Sequence, residues 1–413
     1  MPPDTAAPPA RWLTAEQATA DLGVSRQTLY AYVSRGRIGV VPAPDDPRRS
    51  LYDAADVRLL AERNRGGRSR RAVAASTISW GEPILASAIT RIEGGRLEYR
   101  GHDAVALADA GATLEDVALL LWQVDALPTR PAAQASWPRA PGDPGGGQGA
   151  GQGPGPGAGP GAGAAERCIA AMADLVMAGR WTGRVDSVLP DAVRILDRIA
   201  WSASGLPGLA HRASSLPLHV RLAEAWGVGV KEADLFRRAL VVIADHELNA
   251  STYATRVVAS TRAPLGACVL AGLAALIGPL HGGMTNEVRT LLADPAVAAD
   301  PAGAIAVRQA RGEVIPAFGH RLYPDGDPRA AALLAHLRPS ARARRLCEAM
   351  RAATGIAPNI DFALVVLEDR LHLPRGAAFA IFAVGRTVGW IAHALEQWRD
   401  GTLIRPRAAY PGT

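Results

Sequence analysis

The chain has 413 residues, 48% of them hydrophobic and only 5% aromatic, with a formal net charge of +6. That length allows two or three domains, and a core built of Ala, Leu and Val favours helices over β-sandwiches. The three cysteines, Cys168, Cys268 and Cys347, are far apart and odd in number, which argues against a disulfide framework and a zinc site. Nearly every cation is arginine, Lys231 being the only lysine, and residues 1–75 hold 12 Arg against 8 acidic residues. Most of the net charge therefore sits in less than a fifth of the chain, a pointer to nucleic acid at that end. Met1 to Ala10 contains no apolar h-region, so no secretory signal is expected and the expected location is the cytoplasm.

In chain order, Trp12 to Ala18 opens a helix, with Thr14 and Gln17 placed as a capping box. Leu22-Gly23-Val24 is a tight turn, and Ser25 can cap a second helix, Arg26 to Ser34. Leu13, Ala18, Leu22, Val24, Leu29 and Val33 supply a small core. Two short helices joined by a Gly turn are the helix-turn-helix unit. The second helix carries Arg26, Gln27, Thr28 and Tyr30, donors that can reach base edges or phosphates, and Arg35 and Arg37 follow it. Arg48-Arg49-Ser50-Leu51-Tyr52 reads as a basic strand or wing, and Asp53 to Asn64 as a closing helix. The competing reading is a small helical adaptor that binds protein.

Gly66 to Arg71 reads as part of a flexible basic linker over 66–75, and a second segment begins at Ser76. Ile92 to Arg100 alternates like a short hairpin around Gly94-Gly95, and Thr113 to Trp122 is a helix with Asp116 at the third position after its cap. From Pro128 to about Ala165 the sequence is Pro, Gly, Ala and Gln without period, and it reads as a disordered insertion. Residues 166–244 are helical in character, with breaks at Pro190, Gly205-Leu206-Pro207 and Pro217. The apolar run Ala263 to Ile277 reads as a buried helix. It stands alone and, on to Leu280, carries two prolines, so no membrane span is expected.

Five clusters carry chemistry. Gly278-Pro279-Leu280-His281-Gly282-Gly283 stops the apolar helix and presents a histidine, with glycines that let the backbone approach a ligand. Asp245 to Thr252 is a polar knot at the end of an apolar helix. Ile315 to Tyr323 is followed by Asp327-Pro328-Arg329-Ala330. Pro358-Asn359-Ile360-Asp361-Phe362 and Gly385 to His393, with Arg405-Pro406-Arg407, complete the set. Each has a plain structural explanation alone: a packing histidine, a capping aspartate, a surface arginine. Together they set histidines, a carboxylate and arginines in apolar sequence, where unpaired charge is expensive, so they are expected to meet one another or an anionic ligand.

These clusters resemble the citrate synthase family from about residue 76 to 413. The matches are Arg-Gly-His-Asp at 100–103, His-Glu-Leu-Asn-Ala-Ser-Thr at 246–252, Gly-Pro-Leu-His-Gly-Gly at 278–283, Phe-Gly-His-Arg-Leu-Tyr at 318–323, Asp-Pro-Arg-Ala at 327–330, Asn-Ile-Asp-Phe at 359–362 and Arg-Thr-Val-Gly-Trp-Ile-Ala-His at 386–393. Residues 11–65 resemble the winged helix-turn-helix of the MerR/excisionase type. The resemblance implies a mostly α, two-domain helical fold, with a small domain over about 282–387, preceded by a DNA-binding domain over 1–65. It also implies a homodimer that condenses acetyl-CoA with oxaloacetate and hydrolyses the thioester, with no metal and no cofactor beyond the substrates. His281, His320 and Asp361 match the catalytic residues: donor to the thioester oxygen, donor to the oxaloacetate carbonyl, and base. His246, Arg329, Arg386 and Arg405 match oxaloacetate contacts, Arg405 from the partner subunit. Ile315, Ala317, Phe318, Gly319 and Arg321 fall in the acyl-CoA region, and Arg26, Gln27, Thr28, Tyr30, Arg35, Arg48 and Arg49 are the expected DNA contacts.

Three departures stand out. Ala363, Leu364 and Val365 replace the family's common Tyr-Ser-Gly, Pro324 stands where a basic residue is usual, and the low-complexity insertion falls where ordered helices are usual. The oxaloacetate side is thus the better matched. Two alternatives remain: a 2-methylcitrate synthase using propionyl-CoA, and a transcription regulator that senses metabolites on this fold.

Overall fold

The computed structural model describes residues 12–34, 38–43, 49–54, 56–57, 85–128, 163–205 and 216–406. The chain divides into two compact units, Met1–Ala86 and Ser87–Thr413. In the first, β1 (Trp12–Leu13), α1 (Ala15–Leu22), α2 (Arg26–Ser34), β2 (Val40–Pro42) and β3 (Ser50–Asp53) follow one another, and the strands form an antiparallel sheet in the order β1-β3-β2. The Thr14 capping box opens α1, and Gly23, at φ 63°, ends it in the left-handed conformation that glycine adopts without a Cβ penalty. Ser25 Oγ accepts from the Thr28 amide at 3.3 Å and so caps α2. Ala18, Leu22, Leu29, Ile38, Tyr52 and Val57 close the core. Arg35, Arg48, the linker over 66–75 and nearly all of the insertion lie outside the described residues.

The second unit is mostly helical. A small sheet, β4 (Thr90–Glu93), β5 (Arg96–Tyr99) and β6 (His102–Asp103), holds the hairpin around Gly94-Gly95. The helices are α3 (Ala104–Asp109), α4 (Leu114–Trp122), α5 (Ala164–Ala173), α6 (Leu189–Ser204), α7 (Leu218–Ala225), α8 (Ala233–Val242), α9 (Ala250–Ser260) and α10 (Leu265–Leu276), then α11 (Met284–Ala293), α12 (Pro295–Ala299), α13 (Pro301–Ala310), α14 (Pro328–His336), α15 (Ala341–Thr354), α16 (Ile360–Arg370) and α17 (Ala377–Asp400). Helix α5 begins at Ala164, with Ala164 buried in the core, so the low-complexity stretch ends before the expected Ala165. The apolar run at 263–277 forms α10, with Leu265, Cys268, Val269, Leu273 and Leu276 buried in the core and Ile277, just past its end, exposed.

Helix α17 is the axis of this unit. It packs on α4, α6, α8, α9, α10 and α16, and every residue from Ala377 to Leu395 is buried. By length and composition alone α17 would be apolar enough to cross a membrane, but the apolar window lies wholly inside the fold. Trp390 is fully buried, and its truncation to Ala would cost about 3–5 kcal/mol. Three polar motifs double as helix caps: Asn249 caps α9, Asp327 caps α14 and Asn359 caps α16. The same residues that start these helices thus fix the direction of the side chains beside them.

Candidate active site

The turn between α10 and α11 carries His281. Gly283 donates its amide to Leu276 O and to Gly278 O, each at 3.1 Å. A Cβ on Gly283 would lie 2.5 Å from Ile277 O. The glycines therefore let the turn fold closely against the end of its own helix. His281 Nε2 lies 2.8 Å from Ser251 Oγ, on the first turn of α9, and its ring meets Phe382 of α17 edge-on at 5.9 Å. Ser251 Oγ also donates to Asn249 Oδ1 at 2.7 Å and accepts from Trp390 Nε1 at 3.2 Å. The single hydroxyl proton sets the His281 tautomer. Directed at Asn249, it leaves Nε2 protonated; turned to His281, it leaves Nδ1–H to donate elsewhere.

His246 follows α8 and is buried. Its Nε2 is 3.0 Å from the Tyr323 hydroxyl, and its ring stands edge-on to His320 at 5.1 Å. The Leu322 amide donates to His320 Nδ1 at 3.2 Å, so in the neutral ring the proton sits on Nε2. The preceding loop is pinned: Gly319 N donates to Ala357 O and Asn359 N to Ala317 O, both at 2.9 Å. Ala317 sits at φ 61°, a left-handed conformation uncommon for a residue with a Cβ and characteristic of functional loops.

The two buried arginines are held differently. Arg329 forks onto Asp327 through Nε (2.9 Å) and Nη2 (2.7 Å), and its guanidinium lies over Tyr323. Arg386 donates Nε to Ile243 O at 2.9 Å and lies over Phe382, while its Nη2 has no hydrogen-bond partner among the described residues. Asp361 is half-buried at the start of α16, its Oδ1 shielded and without a partner among the described residues. Asp327 also accepts from the Ile360 amide at 3.0 Å, tying the Arg329 pair to the turn that carries Asp361.

Burial, then Arg386 and Arg329, push the His281 pKa down to about 3. Burial and Arg329 push His320 down to about 4 against an opposing pull from Asp327. His246 is held well below its ordinary value by burial and the two arginines. All three rings are neutral donors at neutral pH. Burial pushes Asp361 up to about 7, only partly offset by Arg329. Burial also lowers Arg386 to about 10, and Asp245 is the strongest influence the other way. For Arg329 burial is outweighed by Asp327, and its pKa is raised.

His246, His281, His320, Arg329, Arg386 and Asp361 thus come together. Phe318 packs against Phe362 with ring centroids 5.3 Å apart and planes tilted by 56°, and Gly319 is half-buried. Ile315 and Ala317 point their side chains into the core, while Arg321 is exposed. Arg405 is exposed in the extended segment after α17. In the first unit Arg26, Gln27, Tyr30 and Arg49 are exposed, whereas Thr28 is half-buried beside Ser25. The sequence alone assigns no role to Ser251, Tyr323, Asp327 or Phe382, although Ser251 and Asp327 are polar residues within the His246–Thr252 and Asp327–Ala330 motifs. No cluster of three or more His, Cys, Asp or Glu suited to a metal occurs among the described residues.

The family described as citrate synthase, C-terminal domain, matches residues 168–407. Citrate synthase 2 of Bacillus subtilis is 36% identical over 191 residues, 44% of this chain and 51% of that protein. The 2-methylcitrate synthase 1 of Corynebacterium glutamicum is 38% identical over 190 residues, 43% and 49% of the two chains. The chain thus spans about half the length of these curated relatives. Among solved structures, citrate synthase from Thermotoga maritima superposes with a TM-score of 0.63 and 26% identity, over 81% of this chain and 94% of that one. The enzyme from Thermoplasma acidophilum, solved with carboxymethyl coenzyme A and oxaloacetate, gives 0.63 over 82% and 96%, and at 23% identity that likeness is one of fold. With more than half of its length matched and the same helical fold beneath it, the protein belongs to the citrate synthase family.

Proposed function

We propose that the protein condenses acetyl-CoA with oxaloacetate and hydrolyses the resulting thioester to citrate and CoA, in the cytoplasm, as a homodimer. The observation that carries this reading is Asp361: a half-buried carboxyl with one shielded, unpartnered oxygen and a pKa near 7, beside neutral histidines and two buried arginines. A thioester methyl proton is very weakly acidic, so the step needs a positioned base together with a donor to the developing enolate oxygen. Asp361 takes the proton. His281, through Nδ1–H when Ser251 donates to Nε2, holds the thioester oxygen. The new carbon–carbon bond forms at the oxaloacetate carbonyl, whose oxygen accepts from His320 Nε2–H and takes that proton as its charge develops. Arg386, Arg329 and His246 hold the two carboxylates, and Arg405 adds a contact from the partner subunit. Water then cleaves the thioester. The chemistry needs no cofactor beyond the two substrates. The small domain, over about 282–387, closes on the large one around them.

Acyl preference has a second reading. The 38% identity to a 2-methylcitrate synthase is similar to the 36% to a citrate synthase, which supports propionyl-CoA as an alternative substrate. Incubation with oxaloacetate and each acyl-CoA, with mass spectrometry of the product, distinguishes citrate from methylcitrate, and absence of both would refute the synthase reading.

The N-terminal residues to about 65 are read as a winged helix-turn-helix that binds DNA through α2. The exposed Arg26, Gln27 and Tyr30 on one helix, with Arg49 at the start of β3, support this. Residues 1–71 should carry the DNA affinity and lose it steeply with salt, and a chain beginning near Ala72 should keep the synthase activity. A protein partner instead of DNA would show as binding insensitive to salt and to added duplex.

A further inference from the structure

Behind the proposed oxaloacetate site lies a polar group that the mechanism above does not use. Asp245 is fully buried between α8 and α17. Its Oδ2 accepts from the Thr90 hydroxyl at 2.6 Å and lies 3.2 Å from His393 Nε2, while its Oδ1 has no hydrogen-bond partner among the described residues. Arg386, Gly389 and His393 fall at i, i+3 and i+7 of α17, on one face of that helix. That face meets the segment Ile243 to His246. Gly389 N donates to Ala244 O at 3.0 Å, and a Cβ on Gly389 would lie 2.3 Å from Asp245 Oδ1. Tyr99 anchors the same segment through its hydroxyl, which accepts from the Asp245 amide at 3.3 Å and donates to Val241 O at 3.0 Å. The carboxylate is therefore fixed in place, one residue from His246 and one helix face from Arg386.

The charge balance of the site gives Asp245 a purpose. Arg329 has its own carboxylate in Asp327. Arg386 has no ion pair of its own among the described residues; a backbone carbonyl and the Phe382 ring hold it. Burial pushes Asp245 up, but His393, Arg386 and Thr90 outweigh it, so the carboxyl stays ionised at neutral pH.

We propose that Asp245 is a positioning residue that sets the electrostatic field at Arg386, holding the affinity for dicarboxylate and tricarboxylate anions below what the two arginines alone would give. The proposal rests on the reading of the site as one for oxaloacetate. A fixed negative charge behind Arg386 keeps the guanidinium charged in the low-dielectric interior and opposes the anion in front of it. Citrate carries one more carboxylate than oxaloacetate, so the same charge opposes the product more strongly than the substrate and favours its release. Neither the Arg386 hydrogen bond to Ile243 O nor its packing on Phe382 involves the Asp245 carboxylate, so Arg386 keeps its place when that charge is removed.

The test is binding of oxaloacetate and of citrate to the full chain, by calorimetry, in wild type, Asp245→Asn and Asp245→Ser. Serine is smaller than aspartate and removes the same charge without added bulk against Gly389. Both variants should melt below wild type when no anion is added. Both should bind oxaloacetate more tightly, by about tenfold or more, because a negative charge has been removed from behind Arg386 in a medium of low dielectric constant, and citrate by at least that factor. A purely structural role gives the opposite sign: weaker binding together with the lower melting temperature. Weaker or unchanged affinity in both variants, or failure of both to fold, would overturn the proposal. Wild-type protein that binds no oxaloacetate would refute the reading of the site itself, and this role with it.

Discussion

The wall that carries His246, Arg329 and Arg386 is buried and cross-bonded, whereas the loop from Ile315 to Pro324 turns Ile315 and Ala317 inward and leaves Arg321 and Pro324 exposed. A small dianion can be enclosed, so its recognition rests on desolvated, directional donors. In the proposed function a CoA moiety, long and largely solvated, would be gripped by the backbone of this pinned loop and by surface charge. The two arginines repeat the contrast on a smaller scale: Arg329 is neutralised within the fold, and Arg386 keeps a donor unspent.

The largest expected effect is at the base. Asp361→Asn should lower turnover by about three powers of ten with oxaloacetate affinity little changed. It should also raise the melting temperature by a few degrees at pH 8 and not at pH 4. The sign follows from the raised pKa: the unfolded carboxyl ionises near its ordinary value of 3.8 while the native one holds its proton to about 7, so the native state loses stability as pH rises between these values, and asparagine removes that loss. Turnover within tenfold of wild type would remove Asp361 from the role of base.

Next comes the pair of arginines. Arg386→Leu should raise the oxaloacetate KM by about a hundredfold, with a modest change in melting temperature. Arg329→Leu should instead destabilise the fold by about 3–5 kcal/mol, because Asp327 is left as a buried, uncompensated carboxylate. Equal loss of stability in both variants, measured by denaturant titration, would erase the distinction between them. On the CoA side the expectation is smaller. Pro324→Lys should lower the acyl-CoA KM by about tenfold at constant kcat, as one added charge-assisted contact does when it binds ground state and transition state alike. An unchanged KM would mean that Arg321 or the loop backbone already holds the phosphates. Smallest is Ala317→Gly, which relieves the left-handed backbone and should stabilise the protein by up to about 1 kcal/mol. Destabilisation by this substitution would show that the turn is not strained.

Much of this was legible in sequence because caps and turns are local. The Thr14 box, the Gly23 turn, the Gly94-Gly95 hairpin and the Thr113 cap follow from neighbours three or four residues away. The site residues stood out as polar groups in apolar surroundings. What could not be read were relations across the chain. The pairing of Asp245 with His393 spans 148 residues, and that of His281 with Ser251 joins the turn before α11 to the first turn of α9. Nor does Gly-Gly after His281 reveal whether the chain approaches a ligand or its own carbonyls. Helix α10 is a related case: composition gives its apolarity, and which of its residues are fully covered depends on the elements that pack there.

The central claim, that Asp361 is the base of a working synthase, is tested most directly by the pH dependence of oxaloacetate-dependent thiol release from acetyl-CoA and propionyl-CoA, in wild type beside Asp361→Asn. The base must be ionised, so kcat/KM in wild type should rise with pH through about 7 and then level, while the histidines, with pKa values near 3 and 4, add no step in that range. The variant should lose both the rate and the step. A profile flat across neutrality, or no thiol release from either acyl-CoA, would contradict the account and leave the fold as a metabolite-binding regulator.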